Sequence, residues 1–454
     1  MANVVTQLRD RLLQKRPFRM DRMEKDAAYP SEVEESLAEL PADIAQQLIQ
    51  LVRDLPSHPC DQSAILEALH PEIARWQENP NVANNSLTIL SSPVAAVARV
   101  LAESLEDWAT QNALTITLLG WTERPMDPDR IQEKMRAVLE PSDSEGDCRR
   151  VVIIPNLNWC FLRSAEGLDG IDYLRDELLS DCNRFWIIGG GQVSWQYLNS
   201  ILKLQAHCGE VVELPELSGK QLQNWLMPVI EHLNIQLDKS SIQKRLQELS
   251  EENSQSFFER LTAQFEEVKN SLKSLFRDVK EEALSLSSTA TDSNSKSQWE
   301  NYFERLSDLS DGVSNVALQL FIKSISYKTT QTPSETKQAA TGQDIQKSVE
   351  DCTGPKSSSK GHLVAKTPQL PTLPELAQSD LYILFSLLVH GDVTLTALAD
   401  SLGEERQVIN DSIQVLRTMS LVEQQGYIFK INPIHYPRLK RHLASNNFIV
   451  DVTE

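Results

Sequence analysis

Among residues able to do acid–base or metal chemistry, the run Glu166, Asp169, Asp172, Asp176, Glu177 and Asp181 has the look of a cluster. Paired carboxylates perform such chemistry when burial or mutual repulsion drives their pKa values apart. The polar surroundings of this run read instead as the solvated face of a helix. Gly189, Gly190 and Gly191 follow an apolar strand-like segment and precede SWQYLNSIL, which would place their N–H groups at a helix start where an anion could bind. Ser194 stands where the third glycine of G-x-G-x-x-G belongs, so a close-packing turn is the simpler reading. The 8 histidines are dispersed, and His207 beside Cys208 supplies at most two of the usual four ligands of a metal site. No G-x-S-x-G occurs, and Cys60, Cys148, Cys160, Cys182, Cys208 and Cys352 form no C-x-x-C pair. The sequence therefore assigns no catalytic residue, no metal ligand and no cofactor.

The elements that would position any site change character along the chain. With 454 residues and 41% hydrophobic content, two to four domains are expected. Residues 1–85 show helical spacing, as in SEVEESLAEL and ADIAQQLIQLVRDL, with the first 25 residues read as loose. From Ser86 short apolar runs alternate with helical stretches: SLTIL, LTITLLGW from Leu114, VVIIP from Val151, FWIIG from Phe185 and VVELP from Val211. Five such runs with helical crossovers predict a parallel α/β sheet over 86–217. Residues 218–327 read as a helical lid-like subdomain with a polar loop over Ser285 to Gln298. Residues 328–372 are rich in Ser, Thr, Gln, Lys and Pro and are predicted to be a disordered linker, because they bury too little surface to offset ordering entropy. Residues 373–454 return to the order helix, helix, helix, β-hairpin, helix.

The five runs, closing with LPELSGKQLQNWL, resemble the AAA+ and STAND branches of the P-loop NTPases from Ser86 to Tyr327, and FERLSDLSDGVSNVALQLFIKSI resembles their lid helix pair with Gly312 at its turn. That resemblance implies a phosphate loop G-x-x-x-x-G-K-[ST] after the first strand, where glycines let backbone N–H groups wrap phosphates and the lysine offsets their charge. The matching stretch here is Ser91, Ser92, Pro93, Val94, Ala95, Ala96, Val97 and Ala98. Ser91 and Ala96 replace the glycines, Val97 the lysine and Ala98 the magnesium-binding hydroxyl. No change of register repairs this, since the first glycine is Gly120 and no lysine falls between Lys25 and Lys134. The third strand runs into Pro155 and Asn156 where the resemblance implies acidic residues, and the next carboxylate is Glu166. The expectation is a degenerate NTPase-like body; an ATPase with a noncanonical site, using Arg99, Arg124 or Arg163 for an anion, is the enzyme alternative.

The C-terminal segment resembles MarR-like winged-helix domains. VTLTALADSLG would supply the first helix of the helix-turn-helix, EERQVINDSIQVLRTMSLV the recognition helix and LVEQQGYIFKI the wing, with Gly403 at the turn and Gly426 at the wing tip. A DNA reader of this kind presents polar and basic side chains to base edges and phosphates. The candidate contacts are Arg406, Gln407, Asn410, Gln414, Arg417, Lys430, Arg438, Lys440 and Arg441. Glu404, Glu405 and Asp411 oppose phosphate on the same helix, so a protein and DNA are both open as partners. Trp159 and Phe161 lie near a strand end and read either as core or as a protein-binding edge.

A net charge of -20 argues against a long-range grip on phosphates or anionic lipid and points toward protein partners. Dispersed cysteines and an N-terminus without an apolar leader predict a cytoplasmic protein, and no apolar run is long enough to span a bilayer. The leading expectation is a non-catalytic regulator or scaffold acting through protein contact. The alternative is a transcriptional regulator that binds DNA as a dimer.

Overall fold

A computed structural model describes residues 4–14, 31–112, 114–127, 130–140, 149–238, 291–329 and 361–449. Its centre is a parallel sheet of β1 (Ser86–Ser91), β2 (Thr115–Leu118), β3 (Arg150–Ile154), β4 (Arg184–Gly191) and β5 (Glu210–Glu213), in the order β2-β3-β4-β1-β5. These are the five runs expected from the apolar pattern, and the fold is the α/β class predicted. β1 and β4 are buried along their whole length because each is flanked by strands and covered on both faces.

Alternation along the strands sorts side chains into two layers. Leu87, Ile89, Val151, Ile153, Phe185 and Ile187 pack with α1 (Val4–Gln14), α4 (Pro59–Glu78) and α5 (Val97–Gln111). Val152, Ile154, Trp186 and Ile188 pack on the other face with α6 (Ile131–Leu139), α7 (Asp169–Ser180) and α8 (Gln192–Leu202). The N-terminal helices thus belong to the body. α1, inside the stretch expected to be loose, buries Val5 and Leu8, and its Arg9 pairs with Glu106 of α5. Residues 1–3 and 15–25 of that stretch lie outside the described residues.

Two short helices, α2 (Glu32–Ala38) and α3 (Ala42–Asp54), follow; α2 starts with a capping box in which Ser31 and Glu34 satisfy each other's backbone N–H groups. On α4, Asp61 is 4% exposed, and burial pushes its carboxyl up to about 6. A carboxyl whose folded pKa is raised favours the fold below its unfolded pKa and loses that advantage as pH rises through the folded value. Asp61→Asn is therefore expected to raise stability by roughly 1–2 kcal/mol at pH 8, read by urea denaturation, with the gain fading toward pH 4.

The lid-like region comprises α9 (Gly219–His232), α10 (Thr291–Ser310) and α11 (Ser314–Ser324). Gly312 turns α10 into α11 with φ +66°, a conformation that side chains resist, and a Cβ there would meet the Leu217 backbone nitrogen at 2.6 Å. The loop expected over Ser285 to Gln298 is helical from Thr291, and 285–290 lies outside the described residues. The linker expectation also needs correction at both ends. β7 (Ile325–Thr329) pairs antiparallel with β8 (Gly361–Ala365), and β6 (Gln236–Leu237) joins β8 in parallel. Leu363, Val364 and Ala365 are buried in that small sheet, and Pro368 accepts a hydrogen bond from Arg305 at 3.0 Å. Residues 330–360 lie outside the described residues.

The C-terminal unit contains α12 (Gln378–His390), β9 (Val393–Thr394), α13 (Leu395–Leu402), α14 (Arg406–Thr418), β10 (Val422–Gln425), β11 (Ile428–Ile431) and α15 (Tyr436–Ser445). Its antiparallel sheet, β10-β11-β9, is compatible with a winged helix. Gly403 and Gly426 adopt positive φ at the helix turn and hairpin tip. Ile409, Ile413 and Leu416 give α14 its buried stripe.

Candidate functional site

In a parallel sheet, ligands bind outside the carboxyl end of the strand where the chain's progression reverses. Here that strand is β1, since its neighbours are β4 and β5 while the chain after it crosses to β2 at the far edge. The loop Ser92–Ala96 leaves β1 at this point and runs into α5. Ala95 donates to the Ser92 carbonyl at 2.9 Å, and Asn315 of α11 donates to the Val94 carbonyl at 2.8 Å. The loop is thereby fixed by its own turn and by α11.

Triphosphate and magnesium do not fit this loop. Ala96 precedes α5 without a side-chain cap, which leaves the positive end of that helix toward the crevice. No lysine or hydroxyl stands at Val97 or Ala98, so that partial charge is joined by neither a phosphate-pairing cation nor a magnesium-binding group at the start of the helix. Arg99 points elsewhere: it pairs with Glu103 and donates to the Leu55 carbonyl. At the end of β3, Asn156 caps a short 3-10 turn through the Asn158 N–H at 3.1 Å, so the place of the acidic pair is taken by a structural amide. Among the described residues no cluster of three or more His, Cys, Asp or Glu could hold a metal ion. Burial pushes the Cys160 thiol up to about 12, opposite to what a nucleophilic thiolate needs.

The residues gathered at the strand ends hold the C-terminal unit. Arg124, 7% exposed, donates to the carbonyls of Asn158 at 2.5 Å, His390 at 3.2 Å and Asp392 at 3.5 Å. It thus places a cation against the last carbonyl of α12, at the negative end of that helix. Arg124 is an anchor between two parts of the chain, not the anion ligand considered from sequence. Arg163 contributes its backbone N–H to His390 Nε2 at 3.4 Å, and Ser194 donates to the Val389 carbonyl at 2.5 Å. Ser194, the residue that breaks the glycine motif, therefore serves the same junction. Burial and the two nearby guanidinium groups hold the His390 imidazole well below its ordinary range, keeping it neutral.

Trp159 and Phe161 do not form an exposed edge. Phe161 is fully buried between Tyr197 and His390, and Trp159 is 4% exposed. Both pack within the junction, because β3 ends beneath α12 and brings its following turn inside. The acidic run behaves as the charge pattern indicates: Asp172 and Asp176 pair with Arg175 on α7, and Glu177 and Asp181 with Arg184.

A second contact ties the C-terminal unit to the lid and the N-terminal helices. Glu32 of α2 meets Lys323 of α11 and His435, which is 1% exposed. Burial alone would raise the Glu32 carboxyl, but hydrogen bonds from His435 and Lys323 hold it down at about 2.

The candidate partner-contact residues are mostly engaged with neighbours. Gln407 donates to Asp411 at 2.8 Å, Gln414 to Asn410 at 3.4 Å and Arg417 to Gln414 at 2.8 Å. Lys430 lies 3.5 Å from Glu423, and Arg441 lies 2.9 Å from Asp311. Arg406 is exposed at the start of α14, while Arg438 and Lys440 are half-buried on α15. Sequence reasoning did not single out the apolar residues of the outward ridge of α14, where Val408 and Val415 are 51% and 47% exposed with Asp411 between them. Their spacing of seven places them on one helix face.

No protein-family model matches the sequence, and no curated protein matches it. Among solved structures, the chain is similar to the Thermotoga maritima RuvB Holliday junction branch migration motor at 13% identity, over 84% of this chain and 94% of that chain, with a TM-score of 0.29. It is similar to Cdc6p from Pyrobaculum aerophilum at 12% identity, over 86% of this chain and 96% of that chain, with a TM-score of 0.31. No described helix is long and apolar enough to cross a membrane.

Proposed function

We propose that this chain is a non-catalytic regulator or scaffold that acts by protein–protein contact, presenting the outer ridge of α14 to a protein partner. The observation that carries this reading is the make-up of that ridge, on which Val408, Asp411 and Val415 face outward. Phosphate oxygens repel a carboxylate and gain nothing from valines, whereas a protein surface can bury the valines and pair the acid. Two features support it. Lys430, Arg441 and Arg417, three of the six candidate cations, are engaged by Glu423, Asp311 and Gln414, and the tip of the β10–β11 hairpin carries no cation, with Gln424 and Gln425 leading into Gly426. The body, lacking both phosphate loop and magnesium carboxylate, serves as the platform on which the C-terminal unit is docked.

The test is capture of partners on the immobilised full-length chain, compared with Val408→Asp/Val415→Asp. A specific protein retained by the parent and weakened at least about ten-fold by the double substitution is expected, since each valine buried at an interface contributes on the order of 1 kcal/mol. Retention of promoter DNA with a steep salt dependence, lost in Arg406→Ala and unaffected by the valine changes, would instead support a dimeric transcriptional regulator.

A further inference from the structure

β2 and β5 are the two edge strands of the central sheet. An edge offers a row of unpaired backbone groups to any further strand, and charged side chains are a common guard against this. β5 is guarded, since Glu210 and Glu213 are exposed at its two ends. β2, with the sequence Thr-Ile-Thr-Leu, carries no charge and no proline. Leu119 donates to the Ile153 carbonyl at 2.9 Å, so in the parallel ladder Thr115, Thr117 and Leu119 aim their backbone groups at β3. Ile116 and Leu118 therefore aim their N–H and C=O groups away from the sheet, where nothing among the described residues pairs with them.

The helices over this edge also lack a neighbour. α1 turns one flank to α5, where Thr6 and Arg9 both meet Glu106. Its opposite flank carries Val4 and, seven residues on, Arg11. That flank lies on the β2 side, because a Cβ at Gly120, just past the strand, would stand 3.9 Å from the Arg11 guanidinium. On the other face of the sheet, α6 turns one flank to α7, with Arg136 stacked 5.2 Å from the centre of the Tyr173 ring. Val138, two residues on, lies on the opposite side of the helix, away from α7. Val4 is 44% exposed and Val138 40%. Each face of the β2 edge is thus flanked by a helix with an uncovered valine.

We propose that a second copy of this chain adds its own β2 antiparallel to this edge, joining two sheets into one across a two-fold axis at Thr117. Such an axis sets Ile116 of each copy opposite Leu118 of the other, so the outward backbone groups of both copies are paired at once. It also sets Thr117 opposite Thr117 as a non-hydrogen-bonded pair, a favourable combination with no like charges meeting along the strands. A bare peptide strand would pair the same groups and leave both valines exposed. The second copy brings α1 toward α1 and α6 toward α6 and covers them. A pair of four-residue strands falls short of the roughly 800 Å² per partner of a stable interface, so these helix contacts are part of the proposal. It stands apart from the protein-docking reading of α14, whose residues it does not use.

The experiment is light scattering and sedimentation of the full chain at concentrations up to roughly 100 μM. The parent is expected to form a dimer, and Val408→Asp/Val415→Asp to form it equally well. Thr117→Lys, which sets like charges opposite each other, is expected to weaken the dimer about ten-fold or more, and mixing it with Thr117→Glu to restore the pair. Thr117→Cys tests the register without adding charge. Residues opposed in a non-hydrogen-bonded pair lie within disulfide range, so mild oxidation is expected to link Thr117→Cys above the parent's background, and not Thr115→Cys, which would face Leu119 of the other copy. The proposal is overturned if the parent is monomeric throughout that range, or if Thr117→Lys leaves the dimer unchanged. It is also overturned if the mixed variants stay apart, or if Thr117→Cys links no better than Thr115→Cys.

Discussion

Arg124→Met is expected to lower the stability of the chain by about 3 kcal/mol and to loosen the C-terminal unit from the sheet. Its guanidinium is the shared donor for carbonyls of Asn158, His390 and Asp392. Methionine fills much of the same volume yet leaves those buried acceptors unpaired, and losing hydrogen bonds from a charged donor costs about 1.5–3 kcal/mol. Burial pulls the guanidinium down to about 10, so it remains charged at neutral pH and the junction keeps its cation. Urea denaturation should show the loss, and hydrogen exchange should show α12 amides opening while β1 and β4 stay protected. Unchanged exchange in α12 would mean that Ser194, His390 and the Glu32 cluster hold the unit without Arg124.

Gly189→Ala is the second large effect, a loss of about 3 kcal/mol from overpacking. A Cβ at Gly189 would sit 2.4 Å from the Pro155 carbonyl oxygen and 2.4 Å from Leu101 Cδ1. Leu101 has some freedom; Pro155 is backbone at the end of β3, and moving it separates β3 from β4. Gly190→Ala is the matched control, because its nearest neighbour would be 3.5 Å away, ordinary contact. Both glycines lie within β4 and not in the turn expected from the sequence, so the pair, compared by chemical denaturation, distinguishes close packing of the strand against Pro155 and Leu101 from a general intolerance of side chains in this segment. Equal losses for both would contradict the packing explanation.

The sheet was legible in the sequence because its strands are nearly all apolar and separated by helical periods, which is the signature of strands buried on both faces. The order helix, helix, helix, hairpin, helix at the C-terminus was legible for a similar reason, with Gly403 and Gly426 marking its turns. β8 was missed because GHLVA is short and sits beside a polar stretch, so its pairing with β7 across 36 residues leaves no local trace. Arg124 was noticed as a possible anion ligand, but its anchoring role was missed for another reason. Its partners are backbone carbonyls, which every residue has, and one of them lies 266 positions away. Trp159 and Phe161 were ambiguous because an aromatic near a strand end serves a core or an interface equally well, and only the placement of α12 over β3 decides between them. The recognition-helix candidates were chosen by their polarity, whereas the exposed valines of that helix carry the stronger signal once its buried face is fixed by Ile409, Ile413 and Leu416.

A titration of the full chain with magnesium and ATP, with bound nucleotide and released phosphate followed in one sample, tests most directly the proposal that the crevice beyond β1 does no nucleotide chemistry. The account predicts no saturable binding at millimolar ATP and no phosphate release above that of a buffer blank. Saturable binding with turnover, abolished by substitutions in the Ser92–Ala96 loop, would contradict it.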